Sequence, residues 1–170
     1  MNQLKMVRNN TPVGYITFPE GYYMRPYREG DGPGWCECCV DGKLGVDEIS
    51  EAVFKKIMLD DKTVNPQNIY FLISPSGEIA GTTTYQYNEE ECAGTIHMVA
   101  ITKKYLGKGL SLPMLLFVVQ KIIDDGKELI YLSTDDWRLP AIKTYFKADF
   151  EPVYYLPDMK ERWLNVHKLL

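Results

Sequence analysis

A chain of 170 residues with 45% hydrophobic and 25% charged side chains has the size and make-up of one folded domain, 1–170, which excludes a disordered or fibrous protein. Its formal charge of −4 argues against broad nucleic-acid binding, which needs a surplus of cations set against phosphates. The longest nearly apolar run, Leu110 to Val119, is broken by Ser111 and Pro113 and falls short of the roughly twenty residues of a membrane helix. With no basic-then-apolar leader at the N-terminus, a cytoplasmic protein without nucleic-acid or membrane partners is expected.

Gly21 to Tyr27 reads as a first strand, ended by the turn residues of Glu29-Gly-Asp-Gly-Pro-Gly34. Trp35 to Val46 then reads as irregular. Its Cys36, Cys38 and Cys39, with Cys92 further on, are too few for a disulfide scaffold and lack the paired Cys-x-x-Cys spacing of a zinc site. They are expected as half-buried thiols on a strand or loop, with no metal. Asp47 or Ser50 can cap a helix whose apolar positions Val53, Phe54, Ile57 and Met58 recur at helical spacing.

Ile69 to Ile73 and Glu78 to Tyr87 flank Ser74-Pro-Ser-Gly77 as a hairpin. Thr95 to Thr102 is a strand, Gly107 to Asp125 a largely buried helix ending at Gly126, and Leu129 to Ser133 a strand. A helix over about Arg138 to Lys147 and strands at Pro152–Leu156 and Trp163–Leu169 complete the order. The two strands on either side of the long helix should be parallel neighbours joined by a right-handed crossover. The fold class is therefore mixed α/β (α+β), a mostly antiparallel sheet around one parallel pair.

Between the second of those strands' predecessor and the long helix stands Lys104-Tyr105-Leu106-Gly107-Lys108-Gly109. Glycines there let backbone amides approach a ligand, and a helix N-terminus adds free N–H groups and positive dipole, a combination suited to a pyrophosphate. A plain strand-to-helix turn reads equally well from Gly-x-Gly alone. The spacing lacks the Lys-Ser/Thr of a nucleoside-triphosphate loop and the Gly-x-Gly-x-x-Gly of a dinucleotide fold.

Val99-Ala-Ile101-Thr-Lys-Lys104-Tyr-Leu-Gly107-Lys-Gly109 resembles the Gln/Arg-x-x-Gly-x-Gly/Ala strand-loop-helix of the GNAT superfamily of N-acetyltransferases. Lys104 stands where Gln or Arg is usual, and Lys103 where a proline often is. Arg138-Leu-Pro-Ala141-Ile-Lys-Thr-Tyr145-Phe-Lys-Ala-Asp149-Phe150 resembles the family's Asn-x-x-Ala-x-x-x-Tyr-x-x-x-Gly-Phe block, with Arg138 and Asp149 as the departures.

The resemblance implies a splayed parallel strand pair that admits the pantetheine arm of acetyl-coenzyme A, here a co-substrate. It places the cofactor at Val99, Ala100, Ile101, Leu106, Gly107, Lys108, Gly109, Leu110, Ser111 and Arg138. It makes Tyr145 the acid that protonates the leaving sulfur, although packing alone would read it as a core aromatic. The implied activity is transfer of an acetyl or short acyl group to a primary amine by direct attack in a ternary complex. An inactive coenzyme A-binding regulatory module is the alternative, and a purely structural α/β domain a second. The general base stays open among Glu90, Glu91, His97, Asp135 and Asp136, with His97 reading more simply as a core histidine. Tyr22, Tyr23, Trp35, Tyr85 and Tyr87 are candidates for an aromatic acceptor pocket. The acceptor is a small-molecule or peptide amine, and a homodimer is left open.

Overall fold

The computed structural model describes residues 2–88 and 92–170. Its strands are β1 (Leu4–Asn9), β2 (Tyr23–Pro26), β3 (Ile69–Ile73), β4 (Ile79–Asn88), β5 (Ala93–Ile101), β6 (Leu129–Thr134) and β7 (Glu151–Val153). Its helices are α1 (Gly32–Asp41), α2 (Glu51–Phe54), α3 (Ser111–Asp124), α4 (Leu139–Lys147) and α5 (Met159–Leu169), with α2 running on as a π-helical stretch over Lys55–Leu59. Among the described residues the strands form one sheet in the order β2-β3-β4-β5-β6-β1-β7. Only β5 and β6 pair in parallel, as the helix between them requires; the other pairings are antiparallel.

The alternation along β3 shows how the sheet divides the core. Ile69, Phe71 and Ile73 pack in one cluster with Trp35, Cys36, Cys39 and Phe54, whereas Tyr70 joins Leu115, Val118 and Val119 in another. Successive side chains of a strand point to opposite faces, so α1 and α2 cover one face and α3 the other. The α3 side also holds Ile142 and Tyr145 of α4 and Met159, Trp163 and Val166 of α5. Helix α3 buries Met114, Leu115, Val118, Val119 and Ile122 along one stripe, each worth roughly 1.5–3 kcal/mol of transfer free energy before ordering entropy is subtracted.

Three elements differ from the expectations. Trp163–Leu169 is helical, not a strand: Met159, Trp163 and Val166 are buried while Leu164 is exposed, a spacing of four and three that puts one helical stripe on the core. Helix α1 occupies the stretch expected to be irregular. Pro33 stands at its start, where the missing N–H costs nothing, and Trp35, Cys36, Cys38 and Cys39 are buried along it. These three cysteines are thus core residues, while Cys92 is exposed, and burial pushes the Cys38 and Cys39 thiols well above their usual range. Strand β1 was not expected at all. Leu4, Met6 and Arg8 alternate inward from it, and Arg8 satisfies its buried guanidinium by donating to the carbonyls of Ala148 and Asn9.

Other boundaries moved for local reasons. Helix α3 begins at Ser111 rather than Gly107, because Gly107 and Gly109 have φ of 75° and 73°, incompatible with a right-handed helix. Ser50 caps α2 through its Oγ, which accepts from the Val53 N–H at 3.2 Å. Strand β7 is Glu151–Val153, so only Pro152 and Val153 of the longer run expected there are in it.

Candidate active site

Pairing between β5 and β6 runs from Ala93 opposite Leu129 to Ile96 opposite Leu132 and stops, although β5 continues to Ile101 and β6 to Thr134. On its other side β5 stays bonded to β4, with a one-residue shift between Thr84 opposite His97 and Thr82 opposite Ala100. The extra residue makes a β-bulge, and within it Met98 has a φ of 54°, a left-handed conformation that costs a non-glycine residue roughly 1–2 kcal/mol. Such a bulge bends its strand. Among the described residues, the edge of β5 facing β6 has no ladder partner from His97 onward, and an extended ligand carrying amides fits a strand edge of that kind.

Two clefts open from this split. The first has a volume of about 340 Å³ and is lined by Val99, Ala100, Ile101, Leu106, Ser111, Met114, Arg138, Ala141 and Tyr145, closed on one side by Asp41–Lys43. The second, of about 470 Å³, is lined by Thr95, His97, Met98, Ser133, Thr134 and Asp135. Lys43, Val99, Arg138, Ala141 and Tyr145 border both, so the clefts meet where β5 leaves β6. Ala141 and Tyr145, one turn apart on α4, share that junction.

The loop from Leu106 to Ser111 sits at the mouth of the first cleft, with Leu106 and Ser111 lining it. Gly107, Lys108 and Gly109 lie between those two and outside the lining. Leu110 turns its side chain into the core, 1% exposed, so only its backbone is available. No side chain caps α3 and its first turn holds no acidic residue, which suits an approaching anion. The lysines are spoken for in part: Lys104 Nζ is 2.7 Å from both carboxylate oxygens of Glu78, and Lys108 Nζ lies 5.0 Å from the Tyr105 ring centroid. Asp41, at the end of α1, accepts from the Lys103 N–H at 2.7 Å and so ties α1 to this loop.

Tyr145 is 7% exposed, and burial pushes its hydroxyl up to about 12, with Arg138 opposing the shift. It stays protonated across the neutral range. Arg138 donates from Nε to Asp135 at 3.0 Å, from Nη1 to the Gly42 carbonyl at 2.8 Å and from Nη2 to the Lys43 carbonyl at 2.6 Å. Its guanidinium is thereby turned toward protein acceptors.

The candidate bases separate clearly. Asp136 lies outside both linings and pairs with Arg162, which holds its carboxyl below the usual range. Asp135 lines the second cleft but accepts from Gln3 and Arg138. His97 lines the same cleft, makes no hydrogen bond with its ring among the described residues, and is shifted down by burial, with Asp61 opposing. Glu90 and Glu91 lie outside the described residues. None of Tyr22, Tyr23, Trp35, Tyr85 and Tyr87 lines either cleft; Trp35 and Tyr85 are core residues. Asp41 to Lys43 fall within the Trp35–Val46 stretch expected to be irregular and reach the cleft through α1; Trp137 was missed, its position just before Arg138 being the only signal.

Among the described residues no His, Cys, Asp or Glu side chains gather as a metal site, and no helix is long and apolar enough to cross a membrane. The family model described as Acetyltransferase (GNAT) family matches residues 36–150. No curated protein matches the chain. Among solved structures, a GCN5-related N-acetyltransferase from Sphaerobacter thermophilus is 21% identical with a TM-score of 0.69, covering 90% of this chain and 50% of its own. An acetyltransferase of the GNAT family from Staphylococcus aureus is 14% identical with a TM-score of 0.63, covering 81% and 90%. A tandem GNAT protein from the clavulanic acid biosynthesis pathway is 11% identical with a TM-score of 0.63, covering 89% and 50%. The chain thus spans about half the length of the first and third of these proteins; at such identities the likeness is one of fold.

Proposed function

This chain belongs to the GNAT acetyltransferase family, and on that premise we propose that it transfers an acetyl or other short acyl group from acetyl-coenzyme A to a primary amine. The observation that carries the reading is the end of β5–β6 pairing at Ile96 and Leu132, with a buried, protonated Tyr145 where the two clefts meet. The residues present fit an acyl-coenzyme A: a free strand edge suits the amides of its arm, and an uncapped helix start suits its pyrophosphate.

When bound, the co-substrate supplies an activated thioester carbonyl. Backbone groups of Val99 and Ile101 hold and orient the arm, and amides from Leu106 to Ser111 hold the pyrophosphate, with Lys108 adding a solvent-screened charge. The amine enters through the second cleft. There His97, kept neutral by burial, takes the proton that the nitrogen loses as it bonds to the carbonyl carbon, directly or through a water. As the carbon–sulfur bond breaks, the Tyr145 hydroxyl gives its proton to the departing sulfur, and solvent returns the proton from His97 to the phenolate. Arg138 acts by holding Gly42 and Lys43 across the clefts.

A thermal melt tests the binding step. Acetyl-coenzyme A at a hundred times its dissociation constant adds about 2.7 kcal/mol of stability, and no shift, confirmed by calorimetry, contradicts the proposal. Release of free thiol is then followed across polyamines, amino acids, aminoglycosides and peptide N-termini. Binding with no release from any amine points to the regulatory module instead.

A further inference from the structure

The three tryptophans have different environments. Trp35 and Trp163 are 0% and 1% exposed inside the two main core clusters, whereas Trp137 is 58% exposed. It stands on the segment that joins β6 to α4 and lines the first cleft, along with Leu106 and Ser111 of the phosphate loop. Because β5 and β6 are parallel, that segment and the phosphate loop leave the sheet at the same edge, on the two sides of the split.

We propose that Trp137 is a stacking platform for the purine base of coenzyme A, so that this chain grips its co-substrate at the nucleoside end as well as at the pyrophosphate. The proposal rests on reading the first cleft as the acyl-coenzyme A cleft. A ligand with its arm in the split and its pyrophosphate at Leu106 to Ser111 has only its nucleoside left to place, and it emerges at the edge where Trp137 stands.

The indole is held ready for that task. Arg138 Cζ lies 4.3 Å from its ring centroid, and the guanidinium is itself fixed by Asp135 and the carbonyls of Gly42 and Lys43. A pinned cation against the ring limits the orientations the indole samples, so less freedom is lost when a base stacks. Packing does not account for this residue, since more than half of its surface faces solvent beside a cleft. Stacking of one base on one aromatic side chain is worth roughly a ten- to hundredfold change in affinity.

The test compares coenzyme A with 4′-phosphopantetheine, which has the arm and one phosphate but no base. Calorimetry gives the affinities, and indole emission reports Trp137 once the emission of Trp137→Ala, which comes from the two buried tryptophans, is subtracted. In the wild type, coenzyme A is expected to bind more tightly than phosphopantetheine and to quench the emission, while phosphopantetheine binds without quenching. Trp137→Ala should weaken coenzyme A by roughly ten- to hundredfold and leave phosphopantetheine unchanged; Trp137→Phe should recover part of the loss. Equal affinities of the wild type for the two ligands overturn the platform. So does an equal weakening of both ligands in Trp137→Ala, which would mean that the indole touches the arm or shapes the cleft, and so does unchanged coenzyme A binding. Failure of the wild type to bind either ligand removes the acyl-coenzyme A reading itself.

Discussion

Arg138 reaches back 96 residues along the chain to donate a 2.8 Å hydrogen bond from Nη1 to the carbonyl of Gly42. With its bonds to Lys43 and Asp135 it links the start of α4 to the turn after α1, the two sides of both clefts. Three acceptors are met by one planar fork, a geometry that lysine lacks.

Arg138→Lys keeps the charge and breaks the fork. A loss of about 1–3 kcal/mol is expected in urea denaturation, together with weaker binding of acetyl-coenzyme A in calorimetry. Weaker binding at unchanged stability would instead mean that the guanidinium meets the ligand directly, as the resemblance to the family's motif implies.

Gly109→Val should weaken acetyl-coenzyme A far more than Lys108→Ala. Gly109 has φ of 73° with no atom within 4 Å of a built Cβ, so valine meets no protein clash but is strained in the left-handed region and crowds the amides proposed to face the phosphates. Lys108 adds a charge already lying over the Tyr105 ring and screened by salt. Titration of both variants decides; a larger loss in Lys108→Ala, with both folded, contradicts the backbone cradle.

His97 gives stability a pH dependence of known sign. Burial holds its pKa below the ordinary value of 6.5, so below that value the unfolded chain takes up a proton that the folded chain resists. Its contribution is full above the unfolded pKa and is lost as pH falls through the folded one. Between about pH 7.5 and 5 the wild type should lose more stability in urea denaturation than His97→Gln does. Parallel losses in the two proteins would mean that the ring titrates as if in water.

Much of this was legible from residue patterns, where chemistry and period agreed. The hairpin around Ser74–Gly77 and the parallel pair on either side of α3 follow from local signals that the core does not override, and of the two caps the sequence offers, Asp47 and Ser50, the structure uses Ser50. Helix α1 was hidden because Gly30, Gly32, Pro33 and Gly34 read as turn punctuation, although proline and glycine also stand at helix starts. Strand β1 was hidden because Arg8 stands at an inward position where an apolar residue is the norm. At α5, the few apolar residues of Trp163–Leu169 read as a strand, whereas the burial of Met159, Trp163 and Val166 follows a helical period. The site was legible in its motifs and not in its clefts: Val99, Leu106, Ala141 and Tyr145 come together, but the cover formed by Asp41–Lys43 depends on α1, and the hold of Arg138 on it spans most of the chain.

The most direct measurement is thiol release from acetyl-coenzyme A, with an amine drawn from the acceptor screen, by the wild type and Tyr145→Phe. The substitution keeps the ring and its packing against Phe150 and deletes only the hydroxyl that burial keeps protonated. Unchanged acetyl-coenzyme A affinity and an unchanged melting temperature are expected, with kcat lower by about a hundredfold. Turnover by Tyr145→Phe at the wild-type rate would contradict its role as the proton donor, and no thiol release by the wild type with any amine would contradict the transferase itself.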